Sequence, residues 1–90
     1  MSQIDPRQRE WYLLINMEGL HRQAVRSYRG LHVLEAAEHE VNGQLKVMEW
    51  ICYTNGTADT QAEILWDRQI PAFMTDSENE RNSFLRMMLQ

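Results

Sequence analysis

Ninety residues, 43% hydrophobic and 24% charged, suffice for one core and fall short of two, so a single domain over 1–90 is expected and a deep substrate cleft is not. The net charge of −4 is uneven: residues 1–30 hold five arginines against Asp5, Glu10 and Glu18, whereas 31–90 hold four basic groups against ten acidic ones. That balance excludes broad non-specific binding to nucleic acid, which depends on many Lys or Arg releasing counterions from phosphates.

Cys52 is the only cysteine, so an internal disulfide and a thiolate zinc site within one chain are excluded. The first residues lack an apolar signal region, and no apolar run approaches the ~20 residues of a spanning helix. The expectation is a cytoplasmic protein without membrane attachment.

In chain order, Asp5-Pro6-Arg7-Gln8 combines an N-cap acceptor, a first-position proline and a capping-box Gln. Leu13, Met17, Leu20, Ala24 and Tyr28 then recur at helical spacing and Gly30 supplies a stop, which predicts a helix over about 6–28. Residues 31–70 admit two readings. Leu34, Ala37, Val41, Leu45, Met48 and Cys52 form a heptad-like stripe, as in an all-α bundle of four or five short helices. Asn42-Gly43 and Asn55-Gly56 instead read as two-residue hairpin turns joining strands at about 31–41, 44–54 and 57–67. The second reading is preferred, because pairing Val41 with Gln44 separates most apolar from most polar side chains, with Glu38, Glu40 and Glu49 as misfits. Ile70–Met74 reads as a connector, and Ser77-Glu78-Asn79-Glu80 as the capping box of a helix over about 77–89. The expected fold is α+β: helix, three-stranded antiparallel meander, helix, with both helices on one face of the sheet.

Few residues carry chemistry. Glu18 and His21 have the spacing of carboxylate-bridged metal ligands, but such centres need a second copy; a solvated pair is expected. His32, Glu35 and His39 would align only on a helix. The four glycines are isolated, so no phosphate loop is present, and no Ser, Thr or Cys sits in a nucleophile motif. A dyad of Cys52 with a histidine competes with the commoner role of a lone buried Cys as a small hydrophobe. Neither catalysis nor a cofactor is expected, although a site shared between subunits would leave no motif.

Two binding features stand out. Arg22, Arg26 and Arg29 follow at i, i+4 and i+7 and form a basic ridge, whose plainer account is complementarity to a helix C-terminus with Glu18 paired to Arg22. Met48, Trp50 and Cys52 fall on the otherwise polar face of the meander, an apolar strip with a polar rim of the kind that marks interfaces; in the plainer account they are core. The Met-rich tail, Phe84–Leu89, reads as a packed helix face. The functional expectation is a small regulatory or adaptor protein acting by protein–protein contact, in the manner of phage or plasmid inhibitors of larger complexes, with a homodimer compatible. The alternative is nucleic-acid binding through the arginine ridge with Tyr28 available to stack.

Overall fold

A computed structural model describes residues 10–26, 33–53 and 65–90. Its elements are β1 (Glu10–Asn16), α1 (Arg22–Arg26), β2 (Glu35–Val41), β3 (Gln44–Tyr53), β4 (Ala72–Thr75) and α2 (Glu78–Met88). The strands form one antiparallel sheet in the order β2-β3-β1-β4. The class is α+β, as expected, and the all-α alternative is not supported.

Three expected elements are corrected. Glu10–Asn16 is a strand, so the helix expected over 6–28 is reduced among the described residues to Arg22–Arg26. The reason lies in Trp11-Tyr12-Leu13-Leu14-Ile15: five successive apolar residues would overfill one face of a helix, but they suit a central strand covered on both faces. Leu13, Leu14 and Ile15 are each fully buried, and burying a side chain of this size stabilises by about 1.5–3 kcal/mol. The strand ends where Asn16 Oδ1 accepts the Glu18 N–H at 2.9 Å and Met17 to Leu20 closes a turn, with Gly19 at a φ of 76°. Second, Ala72–Thr75 is no connector but an edge strand, hydrogen-bonded to β1. Third, residues 65–67 are helical, not the end of a third meander strand; the rest of that expected strand, with Asn55-Gly56, lies outside the described residues.

Other expectations hold. Asn42 and Gly43 both have positive φ, 54° and 78°, as a type I′ hairpin requires, and Val41 pairs with Gln44. The pairing then slips: Glu40 faces Leu45 but His39 faces Val47. Lys46 is therefore the extra residue of a bulge, and β2 changes faces relative to the regular register. The C-terminal helix starts where the capping box places it, with the Ser77 hydroxyl accepting the Glu80 N–H at 3.3 Å.

Period-two alternation assigns the two faces. Leu13, Ile15, Met48 and Trp50 pack with Met17, Val25, Leu65 and Ile70 on the α1 side. Leu14 and Val47 pack with Leu85 on the α2 side, where Phe73, Phe84, Met88 and Leu89 close the layer. The helices thus lie on opposite faces of the sheet, not on one.

Candidate binding surface

The strip expected from the sequence is part of the core. Met48 is 1%, Trp50 6% and Cys52 0% exposed, and Met48 and Trp50 are covered by the segments around Val25, Leu65 and Ile70. The expectation of an exposed Met48-Trp50-Cys52 patch is therefore corrected: β3 is an inner strand buried on both faces, whereas the sequence reading assumed one wet face. Burial raises the Cys52 thiol to about 11. Its side chain faces the α1 layer with Met48 and Trp50, while His39 contacts Glu49 on the opposite face, so these two do not form a dyad.

Of the arginine ridge, Arg22 lies on α1 and contacts the carboxylates of Glu38 at 3.1 Å and Glu40 at 3.3 Å. These partners come from β2, not from Glu18 on its own segment. Arg26 is in α1, but its side chain and all of Arg29 lie outside the described residues, as does His32. Glu18 and His21 are exposed, and no cluster able to hold a metal ion occurs among the described residues.

The sequence misfit Glu49 proves to be a structural centre. It is 2% exposed on the α2 face, where the Arg81 guanidinium of α2 grips both carboxylate oxygens, one of them at 2.7 Å. His39 Nε2 lies 3.1 Å from Oε1, and Arg81 also stands 5.7 Å over the Tyr12 ring and donates to Asn82 at 2.8 Å. Burial pushes the Glu49 carboxyl up, but the hydrogen bonds from Arg81 and His39 and the attraction of both groups outweigh it and hold it below its ordinary value. This bidentate pair ties α2 to the sheet; every group in it is engaged internally, which argues for a fastening.

The sheet edges differ in character. β2 carries Glu35, Glu38 and Glu40, charges of the kind that discourage a further strand from pairing there. β4 has the sequence Ala-Phe-Met-Thr, with no charge, and among the described residues pairs only with β1. Beside it runs a shallow groove of about 490 Å³ lined by Phe73, Asn79, Glu80, Ser83, Phe84 and Met87. The Phe73 and Phe84 rings stack at its floor, 5.0 Å between centroids and 4° between planes. Met87, 62% exposed, forms one wall. Glu80, Ser83, Phe84 and Met87 follow at i, i+3, i+4 and i+7, so one side of α2 supplies them. At the far end the Thr75 hydroxyl donates to Glu80 Oε2 and accepts the Ser77 N–H, fixing β4 to the first turn of α2.

Sequence reasoning missed this surface. Its signal was the Met-rich tail, but the other wall comes from a segment read as a connector. No known family, characterised protein or solved structure matches the chain. No helix among the described residues is long and apolar enough to cross a membrane.

Proposed function

We propose that this chain is a small protein-binding module, of regulatory or adaptor type, that engages its partner at the β4 edge and the adjoining groove of α2. One observation carries the proposal: an uncharged sheet edge coincides with an apolar groove holding a stacked Phe73–Phe84 pair and a largely exposed Met87. Edge strands offer backbone donors and acceptors to an incoming chain, and adjoining pockets select its side chains. An inhibitory role follows the same geometry if the captured segment belongs to a working surface of a larger protein. The nucleic-acid alternative requires cations turned toward phosphate; Arg22 instead meets Glu38 and Glu40, so we rank it second.

The test is recovery of partners from the native cell's lysate, with and without nuclease, using the intact chain, Met87→Asp and Arg22→Ala. Met87 is exposed, so its substitution leaves the fold intact as judged by circular dichroism. The expected result is one nuclease-resistant partner at near-equal stoichiometry, lost with Met87→Asp and kept with Arg22→Ala. Retention of that partner by Met87→Asp would remove the groove from consideration, and recovery of nucleic acid dependent on Arg22 would install the alternative.

A further inference from the structure

We infer that two copies of this chain pair through their β4 edges across a twofold axis at Phe73, which closes each edge and groove against its own likeness. The dimer goes beyond the binding reading above; only its consequence, that a partner must displace the second copy, rests on that reading.

Hydrogen-bond phase comes first. The Asn16 N–H donates to the Pro71 carbonyl at 3.0 Å, and β1 pairs Leu14 with Phe73 and Tyr12 with Thr75. In an antiparallel ladder hydrogen-bonded and non-bonded pairs alternate. Phe73 and Thr75 therefore direct their peptide groups at β1, and Ala72 and Met74 direct theirs outward. The opposite side of β1 agrees, since Met17 donates to Lys46 at 2.8 Å and the same alternation places Leu13 with Trp50 in a bonded pair. Among the described residues nothing but β1 pairs with β4.

The outward set is self-complementary. Outward residues bond to outward residues, and an axis at Phe73 sets Ala72 opposite Met74 of the second copy and Met74 opposite its Ala72. Every outward N–H and C=O of both strands then has a partner. An axis at Ala72 or Met74 pairs that residue with itself and sets the other against Ile70 or Asp76, outside the strand.

Side chains fit the same register. Ala72 and Met74 face the α1 layer, so small meets large on that side of the joined edges. Phe73 meets Phe73 of the second copy on the α2 face, in a non-bonded pair with Cα atoms about 4.5 Å apart. Each of these rings already stacks on Phe84, so four rings form a row where the two grooves merge, and cross-strand aromatic pairs stabilise a sheet.

Charge favours this occupant and this edge. β4 is uncharged, and Glu80 is the only ionisable residue of the groove lining. Its carboxylate accepts from Thr75 at the far end of the strand. The axis at Phe73 sets the two Thr75 positions four residues apart along the strands, roughly 13 Å, which exceeds the Debye length of about 8 Å. The two Glu80 side chains thus do not oppose each other. By contrast, β2 carries Glu35, Glu38 and Glu40, which a second β2 would meet with its own, and a β2–β4 contact would repeat head to tail without closing. The contact spans four residues, and each copy carries a net charge of −4. The dimer is therefore expected to be weak, in the micromolar range, and to tighten as salt screens two acidic bodies.

The experiment is sedimentation of the intact chain over rising micromolar concentrations, beside Met87→Asp and two cysteine variants. Phe84 lies on Phe73 and Glu80 on Thr75, so Met87, one turn further, faces the Thr75 end of the second copy. Met87→Asp therefore sets a carboxylate near Glu80 of that copy and should weaken the dimer at least tenfold. Phe73→Cys brings two thiols across the axis at a spacing a disulfide spans, and diamide should cross-link it rapidly. Ala72→Cys should resist cross-linking, because its copies stand about 9 Å apart, beyond the reach of about 7 Å. Should Phe73→Cys fail to fold by circular dichroism, sedimentation of the intact chain and Met87→Asp decides alone. A monomer at every concentration, a dimer indifferent to Met87→Asp, or cross-linking of Ala72→Cys as fast as Phe73→Cys would overturn the proposal. A monomer whose partner recovery still depends on Met87 would overturn the dimer and leave the binding reading standing. A dimer of this register whose partner recovery is indifferent to Met87→Asp would support the dimer and overturn that reading.

Discussion

Arg81→Met isolates the Glu49 pair and gives a signed prediction. The replacement keeps an apolar stem beside Tyr12 but leaves a carboxylate that is 2% exposed without its bidentate donor. Breaking a buried ion pair from one side costs about 3–5 kcal/mol. His39 at 3.1 Å remains as a donor to Oε1, which places the expected loss at the lower end, about 3 kcal/mol. For a domain of this size that is a large share of a total of roughly 5–15 kcal/mol, and it lowers Tm by at least ~12 °C. Glu49→Leu with Arg81→Met should recover most of the loss, since an apolar pair of similar volume replaces a buried ion pair at little cost.

The pH dependence distinguishes this account from simple loss of packing. In the intact chain the folded carboxyl lies below its unfolded value, so its stabilisation is present above about pH 4.3 and is lost as pH falls through the folded value. In Arg81→Met the lowering by Arg81 is gone and only His39 opposes burial, so the folded value rises and protonation relieves part of the destabilisation. Urea titrations should therefore find the deficit larger at pH 7 than at pH 4. A loss under ~1 kcal/mol at pH 7, the range of an exposed pair, would refute the reasoning. So would an equal loss at both pH values.

Other perturbations test separate parts of the fold. Cys52, fully buried with its thiol raised to about 11, should react with a thiol reagent at pH 8 only as fast as the chain opens; the rate of a free cysteine would contradict its placement. Ser77→Ala removes the cap of α2 and should cost about 1 kcal/mol, read from the denaturation midpoint. Gly43→Val forces a branched residue to a φ of 78° and should cost about 1–2 kcal/mol; Val tolerated without loss would refute the type I′ turn.

The parts legible in the sequence are those specified over a few neighbouring residues. Asn42-Gly43 needs only its own two positive φ values, and Ser77 with Glu80 forms a cap within one turn. The first strand was misread because Asp5-Pro6 and the Leu13, Met17, Leu20 spacing fit a helix locally; the run from Trp11 to Ile15 becomes a strand by lying between β3 and β4. Met48, Trp50 and Cys52 are legible as one face of a strand, but not as a covered face, since the cover of Met48 and Trp50 comes from Val25, Leu65 and Ile70.

The sequence by itself determined an α+β chain, a hairpin at Asn42-Gly43, a capped C-terminal helix and the chemistry of a lone cysteine. Tertiary structure decided the rest: the strand order, the helices on opposite faces, the bulge that turns β2 over, and the buried seat of Glu49. It also decided the candidate surface, where Phe73 and Met87, fourteen positions apart, meet across a groove. The physical reason is common to all of these. Turns and caps are closed by hydrogen bonds between near neighbours, whereas burial is a property of position, set by whichever distant segment excludes water from a side chain.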